Sequence, residues 1–290
     1  GVVMPENKMM PIAMAIGGSD SGAGAGIQAD LKTFSALGVY GTCAITAVTA
    51  QNTLGVEKVE EISSEMVVAQ MRVLLDDIKP SVIKTGMLYS KSVIGALVAM
   101  LVQDGPGLGI RKLNEGIRLV VDPVMVAKSG DRLLREDAVR SLCLELLPLA
   151  DIVTPNIPEA EALTGKIITN EHAMEEAAKQ LVSEMRVKSA LVKGGHLDGP
   201  ATDILYDGKL VSRFSAPRIP TMNTHGTGCT YASAIAGYMA KGMGVTDSVA
   251  AAKEFVTSAI THSFAIGHGH GPLNHNFAHL PPLNSDESLM

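Results

Sequence analysis

The chain has 290 residues, 46% of them hydrophobic, and a net charge of −6 at neutral pH, with mean hydropathy +0.22 and an isoelectric point near 5.8. That composition supplies a substantial core and excludes disorder over most of the length, while the acidic balance leaves no electrostatic footprint for nucleic acid or an anionic membrane. Aromatics make up 3% with no Trp, which removes base-stacking platforms as well.

The three cysteines, Cys43, Cys143 and Cys229, are odd in number and form no CxxC pair, which fits a reducing, cytoplasmic setting. The apolar run from Met9 to Gly17 is broken by Pro11. It is too short for a membrane span and reads as a strand, not a signal peptide. Residues 1–10 read as an N-terminal extension, 11–283 as a single domain and 284–290 as a tail, with no repeat or linker that divides them.

Ile12 to Ile16 predicts a buried strand, followed by the loop Gly17-Gly18-Ser19-Asp20-Ser21-Gly22-Ala23-Gly24-Ala25-Gly26. The next segment repeats Ile27, Asp30, Leu31 and Phe34 at helical spacing. Asp30 therefore lies on an apolar stripe, where a carboxylate needs either a protein partner or a polar ligand. Gly24-Ala25-Gly26-Ile27-Gln28-Ala29 also matches the dinucleotide fingerprint, which demands an acid at the end of the second strand to hold a ribose hydroxyl. That strand, 41–49, ends in Ala50-Gln51-Asn52 instead, so the nicotinamide reading loses its anchor. Gln51 carries a donor beside an acceptor and suits a heterocycle with a ring nitrogen next to an amine; it equally suits a strand-end residue bonded to backbone.

The pattern then repeats: an apolar strand, a polar residue at its end, a helix. Val82-Ile83 leads to Lys84-Thr85-Gly86-Met87, Ile117–Val121 to Asp122-Pro123, Ile152-Val153 to Thr154-Pro155-Asn156-Ile157-Pro158-Glu159, and Ala190–Val192 to Lys193-Gly194-Gly195. Helices fall at about 65–77, 90–103, 136–147 and 171–185. Such crossovers predict an α/β fold with a mostly parallel sheet, whose ligands bind outside the carboxyl ends of the strands. Asp122, Asn156, Glu159 and Lys193 would share that edge. Two carboxylates and a carboxamide suit an oxygen-liking Mg²⁺, and a lysine suits phosphate. Gly105–Gly109 with Asn114–Gly116 reads as a surface loop, Ser129-Gly130-Asp131 as a flap, and Leu205–Val211 as a hairpin with an Asp-Gly turn.

Asn223-Thr224-His225-Gly226-Thr227-Gly228-Cys229-Thr230 opens a helix of small and apolar residues. A helix start has unpaired N–H groups and partial positive charge, so Gly226, Thr227 and Gly228 predict an anion cradle. The same field would lower the thiol pKa of Cys229 and ready it as nucleophile or base. The plainer alternative is a tight turn followed by a buried cysteine. A further helix follows at about 246–264, then the tail Gly267-His268-Gly269-His270-Gly271-Pro272, which reads as a loop closing over the site and not as a metal centre. No GxxxxGK[ST] occurs, so this is not a P-loop protein.

Taken in order, these motifs resemble the ribokinase-like superfamily and, within it, the hydroxymethylpyrimidine/phosphomethylpyrimidine kinases of thiamine biosynthesis. The resemblance runs from about Ile12 to His275 and rests most on 15–20, 24–34, 50–53, 84–88, 122–125, 154–156, 193–196 and 223–230. It implies a three-layer α/β/α fold, ATP and Mg²⁺, a homodimer, and two successive phosphorylations of 4-amino-5-hydroxymethyl-2-methylpyrimidine. Gly18, Asp30, Gln51, Met87 and Cys229 would line the pyrimidine pocket. Gly226, Thr227 and Gly228 would form the anion hole, Lys193 would contact ATP, and Asp122 with Asn156 and Glu159 would organise Mg²⁺. Pyridoxal/pyridoxine kinases of the same cysteine-bearing type are similar throughout but commonly place an apolar methionine where this chain has Gln51. Two readings from other classes stand against it. A dehydrogenase lacks its ribose acid, and a mere binding module would not need Cys229, Lys193, Asp122 and Glu159 together.

Overall fold

In the computed structural model, which describes residues 9–104, 111–113, 116–127, 129–130 and 132–279, six strands run parallel. They are β1 (Ile12–Asp20), β2 (Tyr40–Gln51), β4 (Val82–Thr85), β7 (Arg118–Val121), β8 (Ile152–Val153) and β9 (Ala190–Val192). Antiparallel strands extend both edges: β3 (Val56–Glu61) beside β2, then β10 (Ala201–Tyr206) and β11 (Val211–Ala216) beyond β9. The sheet order is β11-β10-β9-β8-β7-β4-β1-β2-β3. A separate hairpin of β5 (Val102–Asp104) and β6 (Arg111–Leu113) flanks 105–110. The loop expected at 105–109, Asn114-Glu115, Asp131, most of the N-terminal extension and the 284–290 tail lie outside the described residues.

The two-residue period of a strand sorts side chains between two helical layers. Ala13, Ala15, Val82 and Val120 meet one face, with Ile27 and Phe34 of α1 (Gly26–Ala36), Tyr231 and Ile235 of α7 (Thr227–Ala240) and Val249 of α8 (Val245–Thr261). Met14, Ile16, Ile83, Leu119 and Val121 meet the other. There they pack on α2 (Ser64–Asp77), α3 (Lys91–Leu101), α4 (Glu136–Ser141), α5 (Ile157–Thr164) and α6 (Glu171–Met185). Lys84 has the parity of Val82, so its side chain belongs to the α1/α7 layer. This is the expected three-layer α/β/α arrangement.

Three departures from the predicted elements have local causes. Gly17 to Asp20 continue β1 instead of forming a loop; the β1–β2 register shifts at Gly17/Gly18, and the Thr49 hydroxyl donates to the Ser19 carbonyl at 2.8 Å. The helix expected over 136–147 stops at Ser141, widens over Leu142–Leu146 and tightens over Leu147–Leu149. Pro148 has no N–H to bond back to Leu144, so a regular helix cannot continue. Strand β3 carries too many charges (Val-Glu-Lys-Val-Glu-Glu) to stand out in sequence, and it is an edge strand, where charge guards against further pairing. Among the described residues no helix is long and apolar enough to cross a membrane.

The C-terminal segment is fastened to the active-site helix, since His275 Nε2 lies 2.8 Å from Thr230 Oγ1 in a buried setting. Burial pushes the His275 imidazole down to about 4, so the folded chain keeps it neutral while an unfolded imidazole takes a proton near ~6.5. The unfolded state then binds more protons, and stability falls as the pH drops between those values. Urea midpoints at pH 7 and pH 5 should show that loss. His275→Gln, which keeps a hydrogen bond but does not titrate, should shrink it.

Candidate active site

Gly226 starts α7 with φ +81, and no side chain caps the helix. The left-handed conformation favours glycine, and a Cβ there would stand 1.8 Å from the Gly24 carbonyl oxygen. Gly226 is thus the point where two glycine loops touch backbone to backbone. The space at Gly228 is different. A Cβ there would meet Lys193 Nζ at 3.4 Å and Asp122 Oδ2 at 3.8 Å, both ordinary contacts. Gly228 is therefore the position that keeps room open between the helix start and the strand-end charges.

Those charges arrive from the carboxyl ends of three adjacent strands. Asp122 follows β7, is 3% exposed and accepts from the Thr154 hydroxyl at 3.2 Å. Lys193 follows β9, with Nζ 3.5 Å from Asp122 Oδ1. Burial works against its charge, but Asp122, Glu159, Asp203 and the Cys229 sulfur hold it above the ordinary range. Asn156 follows β8, bridges in parallel to Lys193 and caps α5. Its Oδ1 accepts from Glu159 N at 2.9 Å, while Glu159 Oε2 accepts from Asn156 N at 3.0 Å. Burial, then the Asp122 charge, push the Glu159 carboxyl up to about 7, against Lys193 and the N–H groups of Asn156 and Met125. The reciprocal cap was legible as Asn156-x-x-Glu159.

Cys229 sits in the first turn of α7, at the start of a helix that runs from Thr227 to Ala240. Its thiol is not lowered. Burial pushes it up to about 11; Lys84 and the Gly26 N–H pull it back, while Asp30 and Asp122 raise it further. The lowered thiol expected from the helix field is corrected here: desolvation outweighs the field.

Asp30 has the protein partner its apolar stripe demanded. Its Oδ1 is 2.8 Å from Lys84 Nζ and also accepts from the Ser233 hydroxyl. With 1% of it exposed, Asp30 is enclosed by these protein partners. Gly18 and Met87 are in contact, for a Cβ on Gly18 would stand 2.7 Å from Met87 Sδ.

Gln51 joins a group that sequence did not single out. Its amide nitrogen is 3.1 Å from His225 Nε2, which lies 2.9 Å from Asp20 Oδ2. Asp20 also accepts from the backbone N–H groups of Gly22, Gly24 and Ala25 at 2.8, 3.1 and 2.8 Å. Burial raises its carboxyl, but His225 and those N–H groups bring it below the usual value. His225 Nε2 thus sits between the Asp20 carboxylate and the Gln51 amide, while Gln51 Oε1 faces the Thr49 hydroxyl. Beside this group opens a cavity of about 600 Å³, lined by Gln51, Asn52, Leu54, Val56 and Ser129 among others but not by Cys229. The glycine tail packs on the same turn: His270 N donates to the Thr53 carbonyl at 2.9 Å and His225 N to Gly271 at 3.1 Å.

For a divalent cation the donors offered are oxygens, Asp122 and Glu159 with Asn156 nearby. Among the described residues no group of three or more His, Cys, Asp or Glu could hold a metal ion alone. Such a sparse set fits Mg²⁺ completed by phosphate and water.

The two glycines make opposite predictions. Gly226→Ala should destabilise the fold, by more than ~1 kcal/mol in a urea titration, because backbone must move. Gly228→Ala should fold normally and lose phosphoryl transfer.

The strand ends thus bring a lysine, two carboxylates and a carboxamide to face a helix start without a side-chain cap, in a three-layer α/β/α fold of the ribokinase-like type. The phosphomethylpyrimidine kinase family model matches residues 20–274. A hydroxymethylpyrimidine/phosphomethylpyrimidine kinase of Rhizobium meliloti is 50% identical, covering 92% of this chain and 97% of its own. The structure of the phosphomethylpyrimidine kinase of Clostridium difficile 630 is 42% identical with TM-score 0.73, covering 86% of this chain and 99% of that one. An ADP complex of Bacillus subtilis pyridoxal kinase is 35% identical with TM-score 0.83, covering 94% and 100%. The chain belongs to the phosphomethylpyrimidine kinase family.

Proposed function

We propose that this ATP-dependent kinase phosphorylates 4-amino-5-hydroxymethyl-2-methylpyrimidine, and then its monophosphate, at the start of α7. Hydroxymethylpyrimidine and phosphomethylpyrimidine kinase activity in thiamine biosynthesis is the function of the family; the assignment of residues to its two steps is ours. The observation that carries it is the uncapped helix start whose Gly228 faces Lys193 Nζ and Asp122 Oδ2 at van der Waals distance.

Catalysis in such a transfer is positioning and charge neutralisation. The N–H groups of Gly226, Gly228 and Cys229 receive the moving phosphoryl group, while Thr227, expected in the same anion hole, has its N–H held by the Thr224 carbonyl at 3.2 Å and fixes the turn. Lys193 offsets the charge on the ATP phosphates. Asp122 and Glu159, with Asn156 holding the turn, are the residues that would carry Mg²⁺, which supplies further neutralisation when bound. Gln51 reads the ring nitrogen and amine of the pyrimidine, held by His225 and Asp20. Gly18, Met87 and Cys229 complete that pocket, with Asp30 supporting it from below. In the first transfer Cys229 acts as the thiolate, its own proton having gone to solvent. The hydroxymethyl oxygen bonds to the γ-phosphorus, the bond from that phosphorus to ADP breaks, and the hydroxyl proton passes to the Cys229 sulfur. The second nucleophile is a phosphate oxygen already ionised at neutral pH, since its second pKa is ~6, and needs no base. A homodimer is part of the same proposal; the exposed Tyr40 and Val48 of β2 suit a covered face.

Cys229→Ala should slow the first transfer by roughly 10²-fold or more, the range of a general base, and spare the second. Single-turnover rates of both steps decide, and equal losses refute the role. Gln51→Met should raise KM for the pyrimidine by at least ~10-fold, the effect of an unpaired polar edge, and improve turnover of pyridoxine. An unchanged pyrimidine KM removes Gln51 from recognition.

A further inference from the structure

Lys84 is fully buried, sits on a strand whose other members are apolar or Thr, and takes no part in the proposed transfer. A buried ammonium is costly unless charge offsets it. Its surroundings are built from two helices in register. On α1, Gly26 and Asp30 are one turn apart; on α7, Cys229 and Ser233 are one turn apart. Residues at that spacing share a helix face. The helices meet at their starts, where a Cβ on Gly226 would press on the Gly24 carbonyl and Ala25, and again further along, where the Ser233 hydroxyl donates to Asp30 Oδ1; Cys229 lies between these two contacts on α7. Lys84 enters from β4 underneath, 2.8 Å from Asp30 Oδ1, and its Nζ lies 3.1 Å from where a Cβ of Gly86 would stand. Asp30 Oδ2 is buried and has no hydrogen-bond partner.

We propose that Lys84 is a positioning residue for the first phosphoryl transfer: its ammonium, anchored by Asp30, is the counter-charge that allows the Cys229 sulfur to give up its proton. This rests on the reading of Cys229 as the proton acceptor. Asp30 and the sulfur share one cation, so each weakens the hold of Lys84 on the other. The remaining charges facing the thiol are Asp122 at the end of β7, which opposes ionisation, and Lys193 at the end of β9, which favours it. Burial would lower the Lys84 ammonium, and Asp30, followed by Cys229 and Asp122, raises it above its ordinary value, so it stays charged.

The sharing makes a signed prediction. Removing the cation with Lys84→Met should move the thiol titration up, and removing its competitor with Asp30→Asn should move it down, each by about one pH unit, the low end of the effect of one nearby charge. The titration is read as the pH dependence of iodoacetamide alkylation of Cys229, without substrate, in a Cys43→Ser/Cys143→Ser background. General damage to the fold would move both variants the same way. If Lys84→Met does not fold, Asp30→Asn and the double variant Asp30→Asn/Lys84→Met still decide: the double variant should titrate above Asp30→Asn. Shifts of opposite sign support the inference; a shared direction, or no shift in Asp30→Asn, overturns it. The pH profile of the first transfer is a separate reading. A rate that fails to follow a shifted thiol removes Cys229 as the base and leaves the counter-charge role of Lys84 standing.

Discussion

Helix α7 begins without a side-chain cap, on a left-handed glycine pressed against the carbonyl of another loop. An uncapped start in a partly buried place leaves N–H groups that need an acceptor. The rest of the fold arranges for that acceptor to be brought by a ligand. Three strand ends deliver Asp122, Asn156 and Lys193 opposite it. The loop after β1 closes its flank through Asp20, and the C-terminal segment ties its next turn through Thr230 and His275. A phosphoryl group is the anion this geometry fits, because the site offers dipoles and a lysine while its carboxylates can hold an oxygen-coordinated cation.

Beneath that start lies a buried ion pair which links α1, β4 and α7 through Asp30, Lys84 and Ser233. Its worth for stability is small at best, since desolvating two charges offsets most of their attraction. It sets the relative placement of the two helices and the charge that faces the reactive sulfur. Burial pushes that thiol up to about 11, and Lys84 pulls against it, so the same cation that pairs with Asp30 favours the ionised sulfur.

Much of this was legible in the sequence, and what was hidden has physical reasons. The helix expected at 171–185 forms over those very residues because its apolar period is strong, and the Asp207-Gly208 hairpin follows from turn chemistry alone. Gly17 to Asp20 looked like a loop because glycine and serine carry little strand preference; the neighbouring strand imposes the conformation. Asp30 and Lys84 were two separate anomalies, an acid on an apolar helix stripe and a lysine beside buried strand residues. Each is the other's explanation, yet they are 54 positions apart and no local pattern joins them. The Asp20–His225–Gln51 group was hidden for the same reason. The thiol of Cys229 was misjudged because a sequence shows the helix start and not the burial that outweighs it.

Shape alone does not separate the two vitamin-kinase activities, since the pyridoxal kinase matches with TM-score 0.83 and the phosphomethylpyrimidine kinase with 0.73, while identity runs the other way, 35% against 42%. In the proposed function, discrimination rests on Gln51 at the end of β2, where an unpaired donor or acceptor penalises the wrong ring. The claim underneath all of this is where the phosphoryl group goes. A crystal structure with ADP, aluminium fluoride, Mg²⁺ and the hydroxymethylpyrimidine tests it most directly. The account predicts the fluoride ligands at about 3 Å from the N–H groups of Gly226, Gly228 and Cys229, with Lys193 beside them. Aluminium bound in the cavity near Leu54 and Val56, with those N–H groups left facing water, would contradict it.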